Sequence, residues 1–227
     1  MKNPSELTVP LEAGAATTAL VYRGTGAGAA LVLAHGAGAG QRSAFMVEFA
    51  SALSDLGLDV VTFNFPYSEQ RRKIPDRALV LEACYRAVIG AVRDAIDNAQ
   101  RALFVGGKSM GGRIATQVAA ADAKLPITGL VLLGYPLHPP GKPAERRDKH
   151  LPAVQRPMLF VQGTRDAFGT PDELSPVLRT LEPPPILYPV AQGDHSFKLS
   201  RKDPAAQAGT HAAIQRAIAD WVRAQAP

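Results

Sequence analysis

One serine, one aspartate and one histidine stand in this sequence where they could work together on an acyl group. The serine is Ser109, inside Gly106-Gly107-Lys108-Ser109-Met110-Gly111-Gly112. Its core is G-x-S-x-G at Gly107, Ser109 and Gly111, set between an apolar run and a helical pattern. Nucleophilic chemistry needs that setting. A sharp turn lifts the hydroxyl clear of a sheet, small neighbours let a helix pass close to a strand, and the helix N-terminus favours negative charge. Asp166 closes the segment Gln162-Gly163-Thr164-Arg165-Asp166, and His195 lies in Ala191-Gln192-Gly193-Asp194-His195-Ser196-Phe197. His195 would take the serine proton and return it to the leaving group, while Asp166 fixes its tautomer. The chain order Ser109, Asp166, His195 is the one used by strand–turn–helix nucleophiles. Asp172 reads instead as first-turn helix charge, and Asp194 adjoins His195 too closely to orient its ring.

An acyl-transfer site also needs donors for an oxyanion. His35-Gly36-Ala37-Gly38-Ala39-Gly40 is small enough to let backbone N–H groups approach a ligand. Ala37 N–H and Met110 N–H are the expected donors. Gly36 is expected beside the substrate, and His35 reads as a structural residue bonded to loop backbone. Other readings stay open: Ser109 as a simple helix N-cap, and the glycine stretch as a plain flexible turn. A phosphate loop is a third, since Gly107-Lys108-Ser109 copies the end of G-x-x-x-x-G-K-S. Its first glycine would fall at Ala102, however, and Leu103-Phe104-Val105 reads as strand. His138, His150 and His211 lack a strand-end position with a paired acid and read as surface or loop residues. No histidine pair has metal-ligand spacing on a helix, so no metal is expected. The one cysteine, Cys84, excludes an internal disulfide. It shares a helical face with Val80 and Val88 and reads as a small buried hydrophobe.

Strand and helix patterns alternate around these residues. Apolar runs at 18–22, 29–34, 59–65, 102–105, 129–133, 158–161 and 186–190 suit strands buried on both faces, and Leu7-Thr8-Val9 suits an edge strand. Helical spacing covers 43–56, 78–99, 110–121, 171–181 and 205–224. Thr170-Pro171-Asp172-Glu173 is a helix start: N-cap Thr, Pro at the first position, acids in the first turn. Such alternation predicts a mostly parallel sheet covered by helices on both faces, with its site beyond the carboxyl ends of the strands.

The 227 residues suit one domain over 1–227. Hydrophobic residues are 46% and charged residues 20% of the chain, an ordinary globular balance that excludes disordered and collagen-like classes. Apolar runs reach only about six residues against the roughly 20 of a membrane helix. The first residues carry no secretory pattern, so a cytoplasmic protein without membrane or nucleic-acid partners is expected.

These segments together resemble the α/β-hydrolase superfamily over nearly the whole chain. The likeness is to a small, capless, dienelactone-hydrolase-like branch of predicted hydrolases. It is carried by Gly107 to Arg113, Gly134 to Pro143, Gln162 to Asp166 and Gly193 to Lys198. The resemblance implies an α/β fold with about eight strands and a Ser109–His195–Asp166 triad acting without a cofactor. Dienelactone hydrolases proper have cysteine where this chain has Ser109, so their substrate is not carried over. The expected function is hydrolysis of an ester or thioester of a small soluble acyl compound. The branch includes eukaryotic relatives linked to chromatin-associated complexes, so a non-catalytic interaction module on the same scaffold is a second expectation. Acyl transfer to an acceptor other than water is a third.

Two further expectations concern the mouth of the site. Hydrolases of this fold often insert a lid after the sixth strand, but His138 to Pro157 offers only 20 residues, five of them proline. That can hold one short helix, at 144–151, and no cap domain. The net charge of +5 is concentrated in segments that follow strand ends: +2 over 68–77, +3 over 138–157 and +1 over 194–203. Arg146, Arg147 and Lys198 are therefore expected to rim the site and to favour an anionic substrate. Arg201 and Lys202 belong to the same excess.

Overall fold

A computed structural model describes residues 3–26, 28–200 and 203–227. Arg201 and Lys202 of the basic excess lie outside the described residues. The apolar runs become the strands β1 (Ser5–Pro10), β2 (Ala16–Tyr22), β3 (Ala30–Ala34), β4 (Asp59–Phe63), β5 (Leu103–Lys108), β6 (Gly129–Leu133), β7 (Met158–Gly163) and β8 (Ile186–Val190). They form one eight-stranded sheet in the order β1-β2-β4-β3-β5-β6-β7-β8. β1 pairs antiparallel with β2 and β2 with β4, while β4, β3, β5, β6, β7 and β8 run parallel.

Between the strands stand α1 (Ala44–Asp55), α2 (Pro66–Glu69), α3 (Ala78–Ala95), α4 (Asp97–Arg101), α5 (Met110–Ala121), α6 (Pro171–Leu178) and α7 (Pro204–Gln225). The period-2 alternation of strand side chains divides the core in two. Val32, Val105, Leu132 and Phe160 pack under α3, α5 and α6, whereas Leu31, Phe104, Val131 and Val161 pack under α1 and α7. Cys84 lies buried in the first layer with Leu81 and Val88. Its helix turns Val80, expected on the same face, 45% into solvent.

The structure departs from the sequence reading in four places. β5 runs through Gly106 and Gly107 to Lys108, so the glycines before Ser109 are strand and not turn. The helix expected over 78–99 breaks at Ile96, whose extended backbone separates α3 from α4. No helix forms at 144–151. There Tyr135 Oη donates to Arg147 O at 2.7 Å and Arg147 N–H donates to Leu137 O at 2.8 Å. These bonds hold the segment against the loop that follows β6, and only a 3-10 turn at Leu151–Ala153 comes after it. β8 is an edge strand, with Ile186 51% exposed, and is not buried on both faces.

Candidate active site

The end of β5 is built by close backbone contacts. A side chain on Gly106 would place its Cβ 1.8 Å from Val131 O. Tyr85 Oη, from α3, donates to Gly106 O at 2.6 Å and accepts from Gly106 N–H at 2.9 Å. One residue on, Gly107 adopts φ +153 beside the Ala34 carbonyl. The chain then reverses at Ser109, at φ 51 and ψ −115, where a residue with a Cβ is strained. α5 begins at Met110. Ser109 occupies the N-cap position, yet its hydroxyl makes no capping bond. The strand running through Lys108 leaves no loop in which to cradle a phosphate.

His195 Nε2 lies 2.8 Å from that hydroxyl oxygen. The other ring nitrogen, Nδ1, lies 2.9 and 2.8 Å from Asp166 Oδ1 and Oδ2. With Nδ1–H donating to the carboxylate, Nε2 is free to accept the serine proton. Asp166 is only 2% exposed and is itself held in place. Its Oδ1 accepts from Phe168 N–H at 2.8 Å and its Oδ2 from Gln162 Nε2 at 2.9 Å. The Phe168 ring stacks on His195 at 4.1 Å. Gln162 is also bonded to Tyr135 N–H, Tyr135 O and Gly169 O, so it ties the loops after β6 and β7 to the acid. Asp194 has a different part. Its Oδ1 accepts from Ser196 N–H and Lys198 N–H and so shapes the loop that carries His195.

The loop after β3 comes to the same place. His35 is fully buried. Its Nδ1 donates to Gly36 O at 2.8 Å and its Nε2 accepts from Phe65 N–H at 3.2 Å. Burial lowers its pKa, and the bonds suit the neutral ring. Tyr67 Oη donates to Ala37 O at 2.9 Å. As the first residue of α5, Met110 has an N–H with no acceptor inside the helix. Gly36, Ala37, Ser109, Met110 and His195 all border one cavity of about 630 Å³. Phe45, Met46, Leu81, Pro136 and Phe168 supply its apolar wall.

The structure divides the residues expected at the rim. Gly36 and Arg147 line this cavity, whereas Arg146 and Lys198 do not. Arg146 turns to Asp148, with Nε–Oδ2 at 3.0 Å and Nη2–Oδ2 at 2.5 Å. Lys198 is exposed and borders a separate depression beside Glu48 and Asp203. His138, expected as a surface or loop residue, lies in the loop after β6 and is buried against Glu173 Oε1 at 3.1 Å. His150 is half-buried at Thr116, with burial pushing its pKa down to about 4. His211 sits on α7 between Glu48 and Gln207. None of the three lines the cavity. The cavity instead includes Arg113, Asp76, Lys108 and Phe168, which the sequence reading did not single out. Arg113 had one legible signal: it follows Ser109 by one helical turn.

A mixed sheet with this strand order, a serine on a strained turn after β5 and an acid and a histidine after β7 and β8 define the α/β-hydrolase fold. The chain belongs to the alpha/beta hydrolase domain family, which its residues 27–223 match, and is a hydrolase of that superfamily. Among the described residues no separate cap domain is present. The fold is shared with an α/β serine hydrolase without a lid from Xanthomonas campestris, at 22% identity and TM-score 0.73, over 97% of this chain and 96% of that one. A dienelactone hydrolase from Anabaena variabilis is similar at 18% identity and TM-score 0.75, over the whole of both chains. Est1E from Butyrivibrio proteoclasticus, solved with ferulic acid bound, is similar at 13% identity and TM-score 0.75, over 96% and 98%.

Proposed function

We propose that the protein is a serine esterase or thioesterase for small soluble acyl compounds, with Ser109, His195 and Asp166 as its triad. The observation that carries this reading is the continuous line of hydrogen bonds from Asp166 through His195 to Ser109. That line ends at a serine in strained backbone, on a cavity wide enough for an acyl group. A scaffold without chemistry needs none of these features.

In this reading Ser109 Oγ attacks the acyl carbonyl as its proton passes to His195 Nε2. The carbonyl oxygen becomes an oxyanion and takes hydrogen bonds from Ala37 N–H and Met110 N–H. Such donors typically supply a factor of about 10² to 10³ each. Asp166 stabilises the imidazolium without taking its proton. His195 then protonates the departing alkoxide or thiolate, which leaves an ester on Ser109. Water attacks that ester and gives its proton to His195, and the acid leaves with Ser109 restored.

A fluorophosphonate probe tests this directly. The wild type should be labelled at Ser109 and Ser109→Ala should not, while keeping its melting temperature. Labelling of the two to the same extent, or none of a folded wild type, would overturn the assignment.

A further inference from the structure

Two arginines share the cavity wall with Ser109, and among the described residues neither guanidinium has a partner. Arg113 is on α5, one turn beyond Ser109, and its backbone N–H donates to Ser109 O at 3.1 Å. Arg147 comes from the irregular segment between β6 and β7, where Tyr135 and Leu137 fix its backbone. Among the described residues neither guanidinium makes a hydrogen bond or an ion pair, and Arg113 Nε is buried with no acceptor. Asp148 holds Arg146, Glu82 holds Arg86, and Asp76, which also lines the cavity, holds Arg72 through Oδ1 while its Oδ2 is buried without a partner among the described residues. Burial, and then the charge of Arg147, lower the pKa of Arg113, so the two cations repel one another. Tyr135 and Glu82 offset part of this for Arg113, but partly buried like charges that make no ion pair among the described residues remain costly. An anion between them removes that cost, and guanidinium forks suit the oxygens of carboxylate and phosphate.

We propose that Arg113 and Arg147 form an anion subsite in the Ser109 cavity, for a carboxylate or phosphate carried by the substrate a short chain away from the reacting carbonyl. The substrate class is then an acyl compound with an anionic end. This deepens the hydrolase reading and rests on it for the placement of the carbonyl. It differs from long-range attraction by a basic surface, because it assigns the preference to two residues and leaves Arg146 out.

The test has a binding arm and a turnover arm. Glutarate titrated calorimetrically into Ser109→Ala should bind, and adding Arg113→Gln or Arg147→Gln should weaken it at least tenfold. This arm needs no turnover, so it stands even if fluorophosphonate labelling refutes the esterase reading. Inorganic phosphate that displaces glutarate identifies phosphate-bearing compounds as occupants. Glutarate binding without displacement identifies a carboxylate, and either result supports the subsite. In the turnover arm the 4-nitrophenyl monoester of glutarate should exceed the neutral 4-nitrophenyl valerate at least tenfold in kcat/KM. That ratio should fall towards one in either Gln variant, persist in Arg113→Lys and be unchanged in Arg146→Gln. If Arg113→Gln does not fold, Arg147→Gln, on an irregular segment, carries both arms. Absence of glutarate binding, a wild-type ratio near one, or a ratio that drops equally in Arg146→Gln would overturn the proposal.

Discussion

Gly107 and Gly111 face the same atom, the carbonyl oxygen of Ala34. A Cβ would stand 2.3 Å from it at position 107 and 2.4 Å from it at 111. Strand β3 and helix α5 therefore approach one another around Ser109 as closely as bare backbone allows. Ala at 111 must push α5 away from β3, and Ala at 107 must push β5 away from β3 and also hold a φ of +153. Each substitution should destabilise by about 3 kcal/mol or more, with Gly107→Ala the worse. Gly36→Ala is the control, since its nearest neighbours would be 3.6 Å away, an ordinary contact. It should lower the denaturant midpoint little. Urea unfolding of the three variants compares them.

The acid of the proposed triad can be separated from its neighbour. Asp166→Asn should lower kcat by about 10⁴, as loss of the tautomer-fixing acid does in serine proteases. Asp194→Asn should lower it less than tenfold, because an amide oxygen can still accept from Ser196 N–H and Lys198 N–H. The rate of fluorophosphonate labelling reads the same order without a chosen substrate. A crippled Asp194→Asn beside an active Asp166→Asn would mean that the loop carboxylate does the orienting.

Ser109, Asp166 and His195 were legible because each follows an apolar run, and local sequence reports strand ends well. The residues that support them were not. Gln162 bonds to Tyr135, Asp166 and Gly169 from three directions, and only tertiary structure brings those groups to it. Arg113 was legible as part of a motif, but its relation to Arg147 spans the whole connection from α5 to the β6–β7 segment. The helix expected at 144–151 had adequate propensity in Ala-Glu-Arg-Arg-Asp-Lys. It lost to the bonds of Tyr135 and Leu137, neither of which lies in the window. The break at Ile96 is hidden for another reason: the apolar period of α3 continues through Ile96 and Ala99, both buried, although the backbone does not.

Gln162 gives a prediction of its own. Gln162→Leu removes one donor from Asp166 and leaves Tyr135 N–H and Gly169 O buried without this partner. The unmet groups should destabilise by about 2 to 3 kcal/mol. The loosened carboxylate should lower kcat by roughly tenfold with KM little changed, as expected for a group acting through His195. Steady-state kinetics and thermal melts on one preparation check both effects. An intact kcat in a destabilised protein would reduce Gln162 to a structural role.

Lys108 gives the last prediction, and its sign is opposite to that of most core changes. The side chain enters the core beside the cavity, with Nζ about 6 Å from the ring centres of Phe45 and Phe197. Nζ is buried and has no hydrogen-bond partner among the described residues. Burial lowers its pKa from 10.5 to about 8, while Asp166 and Asp194 pull the other way. A lysine whose folded pKa lies below its unfolded value binds its proton more weakly in the native state. It therefore opposes folding below about pH 8, and stability should rise as pH climbs from about 8 to 10.5. The penalty at neutral pH is on the order of 3 kcal/mol at most. Cation–ring attraction of about 1 to 2 kcal/mol offsets part of it. Lys108→Met keeps the length of the side chain without its charge, so it should be more stable than the wild type at pH 7 by about 1 to 2 kcal/mol. The gain should shrink as pH approaches 10, where the wild-type amine is neutral in the folded protein. Urea denaturation of both proteins at pH 7, 8.5 and 10 measures it. A variant less stable than the wild type at pH 7, or a difference that does not change with pH, would show that the ammonium is held by more than the two rings.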